Sequence, residues 1–163
     1  MTPIEPTVQR LDGRLHLVHY VTDEQGKRVP MVVGPLKVEF RLVDVAQIVA
    51  GACVMGLPIA TTGEVWDLGE QLSLGRTLLI LLVSILALGT FIWGLFYGKH
   101  IKTHTGEFLK RVVSAYLVTF AVAFLLLWLF DKAPLDNLGV AFTRTVLVAF
   151  PASFAATAVD FMK

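Results

Sequence analysis

Apolar residues fall into four long blocks along this chain. The connections between them are short and polar, and strict apolar–polar alternation is confined to the first forty residues. A helix needs roughly 20 apolar residues to cross a hydrocarbon core. Four segments have that length: Val43–Thr62, Thr77–Tyr97, Val112–Phe130 and Leu138–Val159. The first carries Asp44 and Gln47 near its start, the fourth carries Arg144, and the second and third carry no charge. Backbone in lipid must satisfy its own hydrogen bonds, so each block predicts a helix.

The segment before the first block predicts strands. Thr7–Leu11 and Arg14–Val18 flank Asp12-Gly13, a dipeptide that tolerates the positive φ of a two-residue hairpin turn. A second turn at Asp23–Gly26 leads into Val29–Val33, and Gly34-Pro35 closes the element. The fold class expected is therefore an all-α membrane protein. Residues 1–42 form a small N-terminal cytoplasmic β element, and residues 43–163 form a domain of four transmembrane helices.

Composition agrees. Of 163 residues, 55% are hydrophobic and 17% charged, with mean hydropathy +0.69; soluble domains carry about a quarter charged residues. A net charge of +1 offers no field for nucleic acid. One cysteine, Cys53, rules out a disulfide within the chain. The N-terminal residues lack an apolar core followed by a small-residue cleavage site, so no removable signal peptide is expected.

Charge sets the orientation. Arg10, Arg14, Lys27, Arg28, Lys37 and Arg41 precede the first span, and Lys99, Lys102, Lys110 and Arg111 lie between the second and third. The other two connections hold one basic residue each, Arg76 and Lys132, beside Glu64, Asp67, Glu70, Asp131 and Asp136. Basic connections stay in the cytoplasm. Four spans put every basic segment on one side, with both termini cytoplasmic in a cell (inner) membrane. Trp66, Trp93, Tyr97 and Trp128 fall at span ends, where interfacial aromatics belong.

Candidate chemistry is sparse. The first span ends Gly56-Leu57-Pro58-Ile59-Ala60-Thr61-Thr62-Gly63-Glu64-Val65-Trp66-Asp67. Pro58 removes a helix donor and bends the chain. Thr61, Thr62, Glu64 and Asp67 then offer oxygens at the outer mouth. In a symmetric oligomer such oxygens form rings that attract and dehydrate cations. The plainer reading is a helix end with water-facing carboxylates. Arg144 is a charge well inside a span, a position that is costly and faces protein or water. It reads either as a gating or substrate-binding cation or as half of a structural ion pair with Glu64 or Asp67. Ala52, Gly56 and Ala60 recur every fourth residue, as do Ala141, Thr145, Ala149, Ser153 and Thr157. Small residues at this spacing let helices approach closely. Thr145, Ser153 and Thr157 could instead line a cavity. Pro58 and Pro151 sit in comparable Gly-Leu-Pro and Ala-Phe-Pro contexts on antiparallel spans, a faint inverted repeat of the kind found in some transporters. His100, His104 and Glu107 share a face at helical spacing, but an interfacial or pH-responsive role suits them better than a metal. No metal or cofactor is expected.

The stretch Gly51 to Asp67, above all Gly56-Leu57-Pro58 and Glu64-Val65-Trp66, resembles a family of prokaryotic integral membrane proteins classed only as a domain of unknown function. Arg144-Thr145-Val146-Leu147-Val148-Ala149-Phe150-Pro151-Ala152-Ser153 adds to the likeness, which spans roughly residues 41 to 160. The resemblance implies a compact version of longer, multi-span members, and with it oligomerisation. It implies no activity and no catalytic residues.

Two functions follow as expectations. One is a homo-oligomeric channel or transporter for a cation or small solute, because four short spans enclose little volume alone. The other is a non-conducting scaffold, sensor or accessory subunit, suggested by the β element and by the lack of an acid in the middle of any span. An enzyme is not expected, since the spans hold no Ser-His, paired-Asp or His-rich constellation.

Overall fold

Every helix of the membrane-spanning part touches its last one, Leu138–Phe161. The computed structural model describes residues 7–11, 14–22, 28–35, 42–97 and 105–162. The helices are α1 (Leu42–Ala60), α2 (Gly63–Gln71), α3 (Leu74–Ile92), α4 (Thr105–Leu129) and α5 (Leu138–Phe161). A single π-helical turn, Trp93–Tyr97, extends α3. The segments Leu42–Ala60, Leu74–Phe96, Thr105–Leu129 and Leu138–Phe161 are long and apolar enough to cross a membrane.

Burial separates their roles. Half of the most apolar window of α5 is buried, against 17% of that of α3, so α5 is the core helix and α3 faces outward with Leu78, Leu79, Leu82, Val83 and Leu86 exposed. Exposed leucines are ordinary on a surface that lipid covers. Within α5 nearly every buried position is small or β-branched: Ala141, Thr145, Val148, Ala149, Ala152, Ser153, Ala156 and Thr157. Small side chains let neighbouring backbones come close, which replaces the hydrophobic drive that lipid removes. The closest approach is at Gly51 of α1. A Cβ there would lie 2.6 Å from the Ala156 Cα and 2.8 Å from the Ala155 carbonyl oxygen. Gly56 is looser, since a Cβ would meet Leu126 Cδ1 at 3.3 Å and Ala152 Cβ at 3.6 Å.

Helix ends follow their local chemistry. Asn137 caps α5 by accepting a hydrogen bond from the Val140 amide at 3.3 Å. The chain leaves α4 through Asp131 at φ 58°, and the Lys132 amide reaches back to the Leu127 carbonyl at 2.7 Å. That is the left-handed cap most often made by glycine. Thr77 of α3 and Thr143 of α5 share a hydroxyl contact at 3.1 Å, which joins the starts of those two helices.

The chain divides into two units, residues 1–40 and 41–163. In the first, β1 (Thr7–Leu11), β2 (Arg14–Thr22) and β3 (Arg28–Pro35) pair antiparallel in the order β1-β2-β3. Leu11 pairs with Arg14 across the expected hairpin, whose Asp12-Gly13 lies outside the described residues, as does the turn at Asp23–Gly26. The β2–β3 register shifts between Leu17 and Val18. In the second unit two expectations need correction. The connection after the first span is not a plain loop but contains α2, and α1 ends at Ala60 rather than Thr62.

The α1–α5 contact yields a direct test. Gly51→Ala forces a methyl group against backbone and should cost about 1–3 kcal/mol, the usual range for overpacking. Gly56→Ala meets only side-chain atoms and should cost less. Unfolding free energies in bicelles would measure both. Equal effects would show that the backbones are not in contact at Gly51.

Candidate functional site

Three charged side chains meet at one end of the bundle, each almost completely buried: Asp44 of α1 is 0% exposed, Arg111 of α4 1% and Asp160 of α5 1%. Arg111 Nη1 donates to Asp160 Oδ2 at 2.8 Å, and Nη2 lies 3.4 Å from Asp44 Oδ2. The guanidinium also sits 4.0 Å from the centroid of the Phe96 ring. Phe96 belongs to the π-helical turn that ends α3, and it packs edge-on against Phe161, with centroids 5.4 Å apart. One turn of widened helix therefore brings an aromatic face over the cation, a contact strengthened where water is excluded. Asp44 lies in the first turn of α1, where the helix dipole favours a carboxylate. Asp160 lies in the last turn of α5, where the dipole opposes it, and Arg111 offsets that penalty. The cluster places the starts of α1 and α4 and the end of α5 together, which alternating spans require.

Arg144 organises the other end. Its Nε and Nη2 donate to the Trp66 carbonyl at 3.2 and 3.0 Å, and its Nη1 donates to the Lys132 carbonyl at 3.0 Å. Nη2 also meets Glu70 Oε1 at 2.7 Å. The acidic partner is thus Glu70, not Glu64 or Asp67 as the sequence suggested. The reason is helical phase. Once residues 63–71 form a helix, Trp66, Gly69 and Glu70 share the face toward α5, and Glu64 and Asp67 turn away. Gly69 completes the fit, because a Cβ at that position would overlap the Arg144 Cγ. Lys132 Nζ lies 4.1 Å from the centroid of the Trp66 ring. A groove of about 210 Å³ opens beside Glu70 and Thr143, lined also by Asn137 and Gly139.

Thr61, Thr62, Glu64 and Asp67 are all exposed. The Thr61 hydroxyl donates to the Pro58 carbonyl at 2.9 Å, and the Thr62 hydroxyl donates to the Ile59 carbonyl. Pro58 lies in the last turn of α1, and these hydroxyls, with Trp66 Nε1 on the Ala60 carbonyl at 2.9 Å, satisfy the carbonyls that a helix end leaves over. The four residues do not converge within one chain.

Residues 21–161 match the model of the family described as "Putative integral membrane protein (DUF2391)". The chain belongs to this family. The match reaches back through β3 to the end of β2, so it takes in more of the chain than the membrane part alone. No curated protein and no solved structure matches the chain. The family description carries no activity, so any function must be argued from the two charged clusters.

Most of the packing residues named from sequence sit inside the bundle, whereas Pro58 is exposed. Ala52, Gly56 and Ala60 of α1 and Ala149 and Ser153 of α5 are buried, and Pro58 and Pro151 lie within their helices. His100 and His104 fall outside the described residues. Among the described residues no group of three His, Cys, Asp or Glu could hold a metal. The sequence does not single out the Arg111 cluster, because Arg111 reads there as a residue of the connection between spans. A usable signal was present: Asp44, Arg111 and Asp160 are each followed directly by apolar residues at a span end.

The Arg144 cluster predicts a ranking. Arg144→Gln removes charged hydrogen bonds to two carbonyls and should cost about 1.5–3 kcal/mol. Glu70→Gln should cost under about 1 kcal/mol, because Glu70 is largely exposed. Glu64→Gln should leave unfolding unchanged. A Glu64 effect as large as that of Arg144 would contradict the pairing.

Proposed function

We propose that this protein is a homo-oligomeric transport protein for a cation or small solute, in a cell membrane, with both termini cytoplasmic. The observation that carries the reading is the buried Arg111–Asp44–Asp160 cluster where three of the four spanning segments meet. Charges inside a membrane are expensive, and by default they point to a substrate or ion pathway. A cluster of both signs suits a step in which a passing cation or polar solute displaces one partner and is displaced in turn. On this reading Asp160 and Asp44 form the inner station. Glu64 and Asp67, exposed at the opposite end, form an outer surface that concentrates cations, with Thr61 and Thr62 beside them. Oligomerisation is part of the proposal because four spanning helices, with a fifth of only nine residues, make a bundle too small to enclose much volume alone. The cytoplasmic placement of the Arg111 end is supported by the basic residues clustered before α1 and between α3 and α4. No catalytic residue is assigned.

A second reading has its own support. The hydroxyls of Thr61 and Thr62 are committed to helix carbonyls, and Arg144 is engaged by two carbonyls and Glu70. Such rigidity suits a non-conducting scaffold, sensor or accessory subunit.

Purified protein in proteoliposomes separates the two. Gradient-driven flux of Na⁺, K⁺ or H⁺ above that of protein-free vesicles is expected. Asp160→Asn should lower it about tenfold or more, with the oligomer intact by size, because it neutralises one carboxylate of the buried cluster that a passing cation would meet. Flux lost in Glu64→Gln but kept in Asp160→Asn would move the station to the outer mouth. Absence of flux for all three cations would favour the accessory role.

A further inference from the structure

Polar side chains inside the bundle fall into two groups. Those of the first group satisfy themselves. Thr145 donates to the Ala141 carbonyl at 2.7 Å, Ser153 to the Phe150 carbonyl at 2.7 Å and Ser84 to the Ile80 carbonyl at 2.6 Å. Thr77 and Thr143 bond each other as well as carbonyls of their own helices. The second group lies nearer the Arg111 end. Gln47 Oε1, Thr119 Oγ1 and Thr157 Oγ1 are buried atoms with no hydrogen-bond partner among the described residues. Thr119 is 0% exposed and Thr157 2%.

Their positions are related. Gln47 is one turn along α1 from Asp44, and Thr157 is one turn along α5 from Asp160. Thr119 continues the buried row Arg111, Ala115, Thr119 on α4, about 12 Å deeper than Arg111 at the rise of an α-helix. All three helices join through the Arg111 cluster. Measured along their helices, Gln47 and Thr157 thus lie about one turn inward of the buried charges and Thr119 about two turns inward. Ala115, between Arg111 and Thr119, supplies only a methyl group. Buried hydroxyl and amide oxygens without partners are unfavourable, and proteins cover such groups with ordered water that bonds several polar atoms at once.

We infer that the α1–α4–α5 interface binds internal water from the Arg111 end inward, bridging Gln47, Thr157 and Thr119 as a hydrated blind path about two helical turns deep. The path gives the buried cluster aqueous contact from one side and stops short of Thr145, whose hydroxyl is already satisfied. The competing arrangement is dry. Thr119 and Thr157 would rotate to bond the carbonyls of Ala115 and Ser153, as Thr145 does with Ala141. Hydration does not rest on the transport reading. If solute does move, the path is its access on the Arg111 side.

Water-edited solid-state NMR on the unmodified, threonine-labelled protein in lipid bilayers tests this without any substitution. Polarisation from water should reach Thr119 and Thr157 several-fold faster than it reaches Thr145, which is equally buried but self-bonded. Build-up at Thr119 and Thr157 as slow as at Thr145 would overturn the inference and establish the dry arrangement. Because flux is measured separately, fast build-up without flux would remove transport and leave the hydrated path standing.

Discussion

A guanidinium and two carboxylates buried at one end of a membrane bundle constrain everything around them. Arg111 cannot lose its proton and cannot reach bulk water through its own buried position, so its partners must come to it. Asp44 fixes the start of α1, Asp160 fixes the end of α5, and Phe96 fixes the turn that ends α3. All four spanning segments are therefore referred to one cation. The π-helical turn at Trp93–Tyr97 is best understood as the adjustment that delivers Phe96 to that point.

Close packing carries the constraint along the bundle. Gly51 lets α1 lie against the α5 backbone about one turn from Asp160, and the small residues of α5 continue the contact toward Pro151 and Ala149. At the far end Arg144 ties α2 and the α4–α5 connection to α5 through backbone carbonyls, so that end is held by hydrogen bonds more than by charge pairing. The two ends differ in character. Arg144 closes a structural latch with an exposed acid, and Arg111 holds two buried ones. That contrast is why the Arg111 cluster, and not the residues at the Arg144 end, is the better candidate for function.

The spans were legible from sequence because lipid imposes a length and forbids unpaired backbone, and apolar runs of twenty residues have few other uses. The small-residue rows on α1 and α5 were legible for the same reason. Helix α2 was not, because nine residues containing two glycines, two glutamates and an aspartate read as polar connection. Missing that helix led to the wrong partner for Arg144, since Glu64 and Glu70 are separated by phase and not by distance along the chain. The Arg111 cluster was hidden by a different ambiguity. An arginine at a span boundary looks the same in sequence whether it points to water or into the bundle, and only the positions of Asp44 and Asp160 in space decide between them. The Thr61–Asp67 segment showed its residue types but not their engagement, because hydroxyls that cap a helix end and hydroxyls that line a mouth have the same spelling.

Arg111 and Asp160 act as one unit that holds α4 to α5 inside the membrane. A double-mutant cycle with Arg111→Met and Asp160→Leu, read as unfolding free energy in bicelles, tests it most directly. Asp160→Leu leaves the guanidinium with Asp44 as its remaining carboxylate, and Arg111→Met leaves two buried carboxylates facing each other; each should cost about 3–5 kcal/mol, and because either change already breaks the pair, the double change should cost less than the summed losses by at least about 1 kcal/mol. Losses that simply add would contradict the account, because they would show that the two side chains do not depend on each other.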